Sequence, residues 1–399
     1  MLMADQIKEP VMSLKKWSAL VGLTLSAFIF NTSEFIPIAL LTDIGRDFGL
    51  TEAKAGMLIS VYAWVVMALS LPLMLMTSKL EMRRLLLGVI AVFTSFQVMS
   101  YLSTSFGMLL ASRIGVACAH SIFWSIISII AVRIVPTSHK ALALSMIVTG
   151  SSIAMILGLP LGRVIGLSVG WRMTFLSIGA VALFIFLYLS ALLQRVPSGG
   201  GMTAHDLPAM LKNRILVGIF ITTAAFATGY YTAYSYIEPF LQQVGKMTEN
   251  QITLTLMLFG GAGIIGSMLF SKYFPKYKYR FINLTLAGLI GGVILLRPLA
   301  FSIPVTIAVC ALIGMSATAF NVAMQSEIIT DTPQSQTSVA MSIFSGIFNF
   351  GIGTGALVGG LVCSHLSISF VGIVGGAIVT VALVYWKFIV VKRSLRQAQ

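Results

Sequence analysis

Apolar runs of about twenty residues, separated by short polar segments, recur along the chain from residue 17 to residue 390. A run of this length crosses the hydrocarbon core of a bilayer as a helix, because a helix satisfies its own backbone hydrogen bonds in lipid. The runs are too long and too continuously apolar to be strands of a membrane barrel. The pattern therefore predicts an all-α membrane protein with twelve transmembrane helices.

Polar breaks divide these runs into two sets of six. The longest interruption, residues 194–213, contains Pro197, Gly199 and Pro208, which favour a flexible connector. We therefore expect two six-helix bundles, with the first in residues 1–193, the connector in 194–213 and the second in 214–399. The predicted spans cover residues 17–40, 53–76, 85–104, 106–133, 141–165, 172–193, 214–239, 251–273, 281–299, 303–328, 338–362 and 368–391.

Basic residues predict the orientation of the chain. Of the 26 Lys and Arg residues, 19 fall on the side of the predicted bundle that holds both termini and the connector, which leaves 7 for the opposite side. Positively charged segments stay in the cytoplasm, so we expect both termini to be cytoplasmic. The first run follows Lys15 and Lys16 without an evident cleavage site, and we expect this helix to remain in the mature protein.

Composition excludes several classes of protein. Hydrophobic residues make up 57% of the chain and charged residues only 10%, against about 25% charged residues in a soluble domain. The net charge of +14 lies in short segments between apolar runs and not in a basic helix, so we expect no nucleic-acid partner. Cys118, Cys310 and Cys363 lie singly in apolar runs, and neither a metal site nor a disulfide is expected.

A weak internal repeat relates the two halves. Ala143-Leu144-Ser145 recurs as Ala340-Met341-Ser342, at an offset of 197 residues. Glu34 of the first run has a rough counterpart in Glu238 of the seventh, at an offset of 204. Parallel six-helix repeats place a solute site between the halves near the membrane midplane, and we expect rocking of the halves to alternate its access.

Glu34 and Glu238 are the two carboxylates well inside predicted spans. A buried carboxylate in lipid must be protonated, paired or in contact with a polar cavity, so each is a candidate proton carrier. The alternative is that both lie at the level of the outer headgroups, since each is in the outer third of its helix.

Arg113, Ala117, His120 and Trp124 follow one another at helical spacing and share one face of the fourth span. Charged and polar groups on one intramembrane stripe face the interior of the protein. The functional interpretation is that Arg113 controls the protonation of a partner carboxylate and that His120 lines the path. The alternative is structural: each side chain ties its helix to a neighbour.

Other polar and aromatic side chains inside the spans are candidates for a solute site. Amides match hydroxyl groups and aromatic rings stack on apolar faces, which suits a sugar-like or amphipathic solute. The alternative is that the amides join helices and that the aromatic residues form an interfacial belt. The candidates are Asn31, Tyr62, Trp64, Trp124, Tyr231, Tyr234, Asn321, Gln325 and Asn349.

The fifth span carries Gly158, Pro160 and Gly162, which indicate either a hinge or close helix packing. The sequence contains no phosphate-binding G-x-x-x-x-G-K-[ST] loop, so we expect neither ATP hydrolysis nor any other enzyme activity. A secondary transporter needs no cofactor, because an ion gradient supplies the energy.

Several segments resemble the major facilitator superfamily, in particular its twelve-helix drug:proton antiporter branch. Residues 113–115 with 133–136 and 140–144 are similar to its fourth-helix motif, and residues 150–166 with 171–175 to its fifth-helix antiporter motif. A narrower resemblance, to bacterial sugar efflux transporters that export arabinose and related sugars, is carried by 28–35 (FIFNTSEF), 62–66 (YAWVV), 119–124 (AHSIFW) and 231–240 (YTAYSYIEPF).

This resemblance implies the major facilitator fold and a monomeric antiporter in the bacterial inner membrane that exports sugars in exchange for protons. A multidrug:proton antiporter for amphipathic compounds is the alternative, and a non-transporting membrane sensor is the third interpretation. One segment departs from the superfamily pattern. Leu75, Lys79 and Met82 replace the usual Gly, Asp and Gly before the basic pair Arg83 and Arg84, so Glu81 is the only candidate for the missing acid.

Overall fold

The computed structural model describes residues 12–77, 79–197, 212–332 and 337–392. Within these ranges the regular secondary structure is entirely helical. The α-helices are α1 Leu14–Ala39, α2 Leu41–Asp47, α3 Glu52–Thr77, α4 Met82–Tyr101, α5 Phe106–Ile134, α6 Lys140–Ile153, α7 Leu159–Val169, α8 Trp171–Leu192, α9 Arg214–Tyr234, α10 Ile237–Gln243, α11 Glu249–Leu299, α12 Ile303–Asp331, α13 Thr337–His365 and α14 Val371–Tyr385.

Polar residues between the apolar runs fix where several helices begin. The Ser105 hydroxyl accepts the Met108 N–H at the start of α5, and the Asn213 amide oxygen accepts two N–H groups at the start of α9. At the start of α11, Thr248 and Gln251 form a reciprocal capping box. Such caps satisfy N–H groups that the first helical turn leaves without partners. The polar breaks of the sequence are therefore also the places where its helices start.

Eleven of the described helical segments are long and apolar enough to cross a membrane. The longest, α11, has 51 residues and contains two predicted spans. A straight helix of that length would measure about 77 Å, against a hydrocarbon core of about 30 Å. Its backbone leaves the helical conformation at Tyr277 (φ −131°, ψ 41°), two residues after Pro275. The kink accounts for the twelfth span, and the predicted fold class is confirmed.

The helices pack as two bundles, α1 to α8 and α9 to α14. In the first bundle α4 packs against α5 and α8, and α1 against α6 and α8. In the second, α9 packs against α13 and α14, and the two halves of α11 lie against α12 and α14. The division of the chain at residues 194–213 stays a prediction, since residues 198–211 lie outside the described ranges.

The two sides of the molecule are named here by α1: the near side holds its beginning at Leu14, and the far side holds its end at Ala39. Contacts between the bundles include those of α3 with α13, α7 with α11 and α2 with α10. The α2 and α10 segments are short helices of 7 residues each, and both lie on the far side. The far side is therefore closed by direct contact between the bundles.

The fifth span is not one regular α-helix. Residues Ala154–Gly158 form a π-helical segment between α6 and α7. A Cβ added to Gly158 would meet the Thr32 side chain, and one added to Gly162 would meet Ile36, so these glycines let α1 approach closely. The packing interpretation of the glycines is thus seen directly, whereas a hinge at Gly158, Pro160 and Gly162 stays a prediction.

The structure corrects the register of the internal repeat. The far-side helices α2 and α10 begin 196 residues apart, at Leu41 and Ile237. At this offset Thr42 is the counterpart of Glu238, and Glu34 corresponds to Tyr230. The structure does not support the expected correspondence between Glu34 and Glu238, because Glu34 lies in α1 and Glu238 lies in α10, the counterpart of α2.

Candidate functional site

Arg113 of α5 is fully enclosed in the first bundle. Its guanidinium group donates hydrogen bonds to the Ser33 hydroxyl at 3.2 Å, the Ser33 carbonyl at 2.9 Å and the Glu34 carbonyl at 3.4 Å. It also lies over the Tyr62 ring, with 4.4 Å from the central guanidinium carbon to the ring centroid. Arg113 therefore fixes the backbone of α1 at Ser33 and Glu34, the residue that carries the buried carboxylate.

The Glu34 carboxylate faces the same stripe of α5. Its Oε2 atom lies 3.6 Å from Nε2 of His120, and the two side chains are 9% and 3% exposed. The Glu34 side chain thus faces the interior of the protein, whereas its level relative to the outer headgroups stays a prediction. An acid and an imidazole at this distance can exchange a proton directly or through one water molecule.

Aromatic residues surround this pair. The His120 ring packs edge-on against Tyr62 at 5.5 Å and lies 6.0 Å from Trp124. Beneath it, Phe30 of α1 stacks on Phe123 at 3.9 Å. The predicted stripe of Arg113, His120 and Trp124 is thus confirmed as a shared inward face. We call Glu34, Tyr62, Arg113, His120 and Trp124 the α5 cluster.

The second bundle reaches the α5 cluster through Tyr231. The Tyr231 ring stacks on Phe35 of α1 at 6.3 Å across the boundary between the bundles, and it lies edge-on to Phe348 at 6.0 Å. Its phenol group is within electrostatic range of Glu34. The interface therefore brings together a titratable pair from one bundle and aromatic side chains from the other.

Several buried polar atoms near this interface lack a hydrogen-bond partner among the described residues. They include the Tyr62 hydroxyl, Nδ1 of His120 and Oδ1 of Asn349. The Asn349 amide nitrogen is engaged by the Ser345 carbonyl at 3.0 Å, which leaves the oxygen as the available acceptor. Buried polar groups of native proteins are normally satisfied, so these atoms are candidates for contacts with a polar solute.

The remaining predicted solute contacts are distributed differently. Trp64 packs against Gly353 of α13, where the two bundles touch, whereas Tyr234 stacks between Tyr230 at 5.1 Å and Phe259 at 4.8 Å inside the second bundle. Asn31 donates to the Ser151 carbonyl at 3.1 Å, and Gln325 donates to Asn321 at 3.2 Å. The contacts of Tyr234 and Asn31 fit the structural alternative, and the predicted roles stay predictions.

Glu238 lies away from the α5 cluster, on the far side. It is fully buried within the protein, and its depth in the membrane stays a prediction. Its Oε2 atom accepts hydrogen bonds from the Thr42 hydroxyl at 2.7 Å and the Thr42 N–H at 3.2 Å. Its Oε1 atom lies 3.3 Å from a guanidinium nitrogen of Arg163. Glu238 thus joins the two bundles, and it is paired.

Arg163 was anticipated only as one of the basic residues of the far side. It is fully buried in α7, where it donates to the Ala39 carbonyl of its own bundle and pairs with Glu249 of the second bundle. Arg163 directly follows Gly162 and lies inside the predicted fifth span. This position is the signal that distinguishes it from the basic residues of the loops. A second residue missed by sequence reasoning is Gln97, a buried amide of α4 that donates to the Ser33 hydroxyl.

On the near side, Glu81 takes part in a contact with the start of the connector. It caps α4 by accepting the N–H groups of Arg83 and Arg84, and it accepts the Val196 N–H at 2.7 Å. Burial raises its pKa, but these backbone hydrogen bonds outweigh that effect and hold the pKa below its ordinary value. Arg133 of α5 donates to the Pro197 carbonyl at 2.9 Å. Glu81, the candidate for the acid missing from the superfamily's loop motif, therefore binds the first residues of the connector.

Comparison with known proteins agrees with this architecture. The family model of the Major Facilitator Superfamily matches residues 23–339, from α1 to the beginning of α13. The chain belongs to the Major Facilitator Superfamily. As a member of that superfamily it is a secondary transporter and not an enzyme.

Solved structures of other superfamily members share the fold. Two are inward-facing structures of a bacterial homologue of the human lysosomal transporter Spinster. The occupied form is 15% identical (TM-score 0.73) and the match covers 92% of this chain and 95% of that one; the unoccupied form is 14% identical (TM-score 0.73) with 94% and 96% covered. The human organic anion transporter MFSD10 (TETRAN) is 15% identical (TM-score 0.70) with 95% and 100% covered.

Proposed function

We propose that this chain is a proton-coupled antiporter that exports sugars or sugar-like compounds across the bacterial inner membrane by alternating access. The observation that carries the proposal is the Glu34–His120 pair, buried at the interface where the bundles meet. A carboxylate that changes its exposure from one side of the membrane to the other can load and release a proton. Proton binding and solute binding then compete for one space.

Sugars as the solute class are supported by buried polar atoms on both bundles. The Tyr62 hydroxyl and Oδ1 of Asn349 are a donor–acceptor and an acceptor that match sugar hydroxyl groups. The rings of Tyr231 and Phe348 offer faces on which the apolar side of a sugar ring can stack. The resemblance of the α1, α5 and α9 segments to bacterial sugar efflux transporters points the same way.

The charge distribution supports an orientation of the chain in the membrane. The near side, to which the sequence assigns both termini and 19 of the 26 Lys and Arg residues, is proposed to be cytoplasmic. The far side, closed by direct contacts, is then periplasmic. In this form the protein takes solute from the cytoplasm. We propose that it works as a monomer, driven by the proton gradient without a cofactor.

Transport by purified protein in proteoliposomes tests the proposal. An imposed pH gradient is expected to drive the uphill movement of arabinose or isopropyl-thiogalactoside. The Glu34→Gln variant is expected to lose uphill movement while keeping exchange of solute at equal concentrations. Asp331→Asn, at the near-side end of α12, is the matched control and is expected to behave like the parent protein. Uphill transport by Glu34→Gln at the parental level would contradict the role of Glu34.

A second candidate function is export of amphipathic drugs, which the rings of Phe35, Trp124, Tyr231 and Phe348 would accommodate. Competition between a labelled sugar and a cationic drug for one binding site separates the two functions. Absence of flux for every solute tested would instead favour a membrane sensor.

A further inference from the structure

The far side carries a cluster of charged groups shared between the bundles. Arg163 of α7 lies at its centre, with the Ala39 carbonyl on its own side and two carboxylates, Glu238 and Glu249, on the other. Glu249 also accepts a hydrogen bond from Gln242 at 3.0 Å. Separating the bundles here would leave Arg163 with the Ala39 carbonyl and both carboxylates without their cation. The pairing therefore favours the closed far side.

Acidic groups outnumber basic groups in this cluster. Asp43 of α2 interacts electrostatically with both Arg163 and Glu238, and its own neighbour Arg46 lies 4.0 Å away. Burial raises the pKa of Asp43, although Arg163 opposes this effect. Two guanidinium groups thus face three carboxylates. The turn at Ile368–Phe370, which also packs on α10, contributes Ile, Ser and Phe, which do not ionise.

Glu238 is the carboxylate whose interactions a proton would change most. It is fully buried, and both of its oxygens face the first bundle, one toward Thr42 and one toward Arg163. Glu249, by contrast, has a side chain that is 45% exposed, so solvent can replace its partner. Neutralising a buried carboxylate removes its attraction to a buried cation, which solvent cannot replace.

A cavity lies beside this contact. It has a volume of about 200 Å³ and is lined by α2 and the segment that follows, including Thr42, Arg46 and Glu52. Thr42 lies both on the cavity wall and in hydrogen-bond contact with Glu238. Water in the cavity therefore comes within one side chain of the buried carboxylate.

We propose that Arg163 is a positioning residue that latches the far side closed, and that a proton reaching Glu238 from the far side releases this latch. The inference rests on the proposed transport function, in which the far side must open once in every cycle. It assigns Glu238 to control of access, whereas Glu34 carries the coupled proton at the solute site. The two carboxylates then respond to protons at different steps.

Distances across the far side test the latch without any solute. Spin labels are attached at Ser168→Cys on α7 and Asn250→Cys on α11, in a variant without native cysteines that is placed in lipid nanodiscs. Double electron–electron resonance then measures the distance between the two labels, which reports the separation of the bundles. In the parent, the open fraction is expected to increase as the pH is lowered. Glu238→Gln, which keeps the side-chain shape, is expected to raise the ratio of open to closed protein about tenfold and to abolish its pH dependence.

Two further variants complete the test. Arg163→Ala is expected to open the far side as Glu238→Gln does. Arg172→Ala is the matched control, because Arg172 forms an ion pair with Asp47 on the same side but within one bundle. Its distances are expected to equal those of the parent. Parental distances and parental pH dependence in Glu238→Gln would overturn the proposal, even if sugar transport were demonstrated. Conversely, failure to transport sugars would leave the distance changes intact.

Discussion

His120 Nε2 lies 3.6 Å from Glu34 Oε2, at the point where the two bundles meet. Arg113, by contrast, donates to the backbone carbonyl of Glu34. We therefore expect the pair, rather than either residue alone, to determine how the site binds protons.

This geometry predicts that His120 acts through Glu34. His120→Asn is expected to shift the pH midpoint of solute exchange by about one unit, corresponding to about 1.4 kcal/mol between the two protonation states. In a Glu34→Gln background the same substitution is expected to have no effect on the pH profile, since contacting residues are not additive. Exchange rates of the four variants across a pH series measure both effects. Equal shifts in the two backgrounds would show that His120 acts elsewhere.

Arg113 is predicted to be irreplaceable by lysine. A lysine ammonium cannot reach three acceptors on α1 and lie flat over Tyr62, because it lacks the planar fork of a guanidinium group. Arg113→Lys is expected to lower the free energy of unfolding by roughly 2–3 kcal/mol. Thermal unfolding in detergent, with Arg172→Lys at a partly exposed ion pair as the control, measures the loss. A melting temperature equal to that of the parent would contradict this reading of the contacts.

Close packing between α3 and α13 is predicted to control the far-side contact. A Cβ added to Gly353 would lie 2.5 Å from Nε1 of Trp64 and 2.9 Å from the Ser60 carbonyl oxygen of the other bundle. Gly353→Ala is therefore expected to force the bundles apart and to lower the rate of transport, whereas Gly346→Ala on the same helix meets nothing within 4 Å and is expected to be neutral. Far-side label distances and exchange rates test the pair. A neutral Gly353→Ala would mean that Trp64 moves aside at no cost.

The sequence predicts the helices well because their ends are marked chemically. Several helices begin directly after capping residues such as Ser105, Asn213 and Thr248. The predicted spans therefore agree with the structure to within a few residues. The inward face of α5 could also be predicted from the sequence, because Arg113, His120 and Trp124 recur at helical spacing. Both inferences use only contacts within one helix.

The inferences that fail depend on contacts between helices. The sequence predicts that Glu34 and Glu238 are rough counterparts in the internal repeat. The starts of α2 and α10 instead make Thr42 the counterpart of Glu238. That register is set by where the far-side turns begin, which no local pattern specifies. Arg163 lies inside the predicted fifth span, but its role is missed for the same reason, since its three partners come from α1, α10 and α11. Because these residues are far apart along the chain, the cluster cannot be predicted from the sequence.

The contact between Glu81 and the connector is predicted to depend on pH. The carboxyl has a lowered pKa in the folded protein, so it stabilises the fold above its ordinary pKa of 4.5, and this contribution is lost as the pH falls through the lower folded value. Glu81→Ala is expected to lose about 1 kcal/mol at pH 7 through the missing cap of α4. The difference in melting temperature between parent and variant should decrease below pH 4.5. A constant difference from pH 7 to pH 3 would show that the charge of Glu81 is unimportant.

Removal of one hydroxyl group is predicted to distinguish the two candidate solute classes. Tyr62 keeps its ring against Arg113 and His120 when it is changed to Phe, and only its hydroxyl group, which has no partner among the described residues, is lost. A sugar that hydrogen-bonds this group should bind about tenfold more weakly to Tyr62→Phe, whereas an amphipathic drug held by ring faces should bind equally well. Binding titrations of both solutes, with Tyr188→Phe on α8 as the control, make the comparison. A tenfold loss for the sugar alone supports sugar export, and unchanged affinity for both would remove Tyr62 from the solute site.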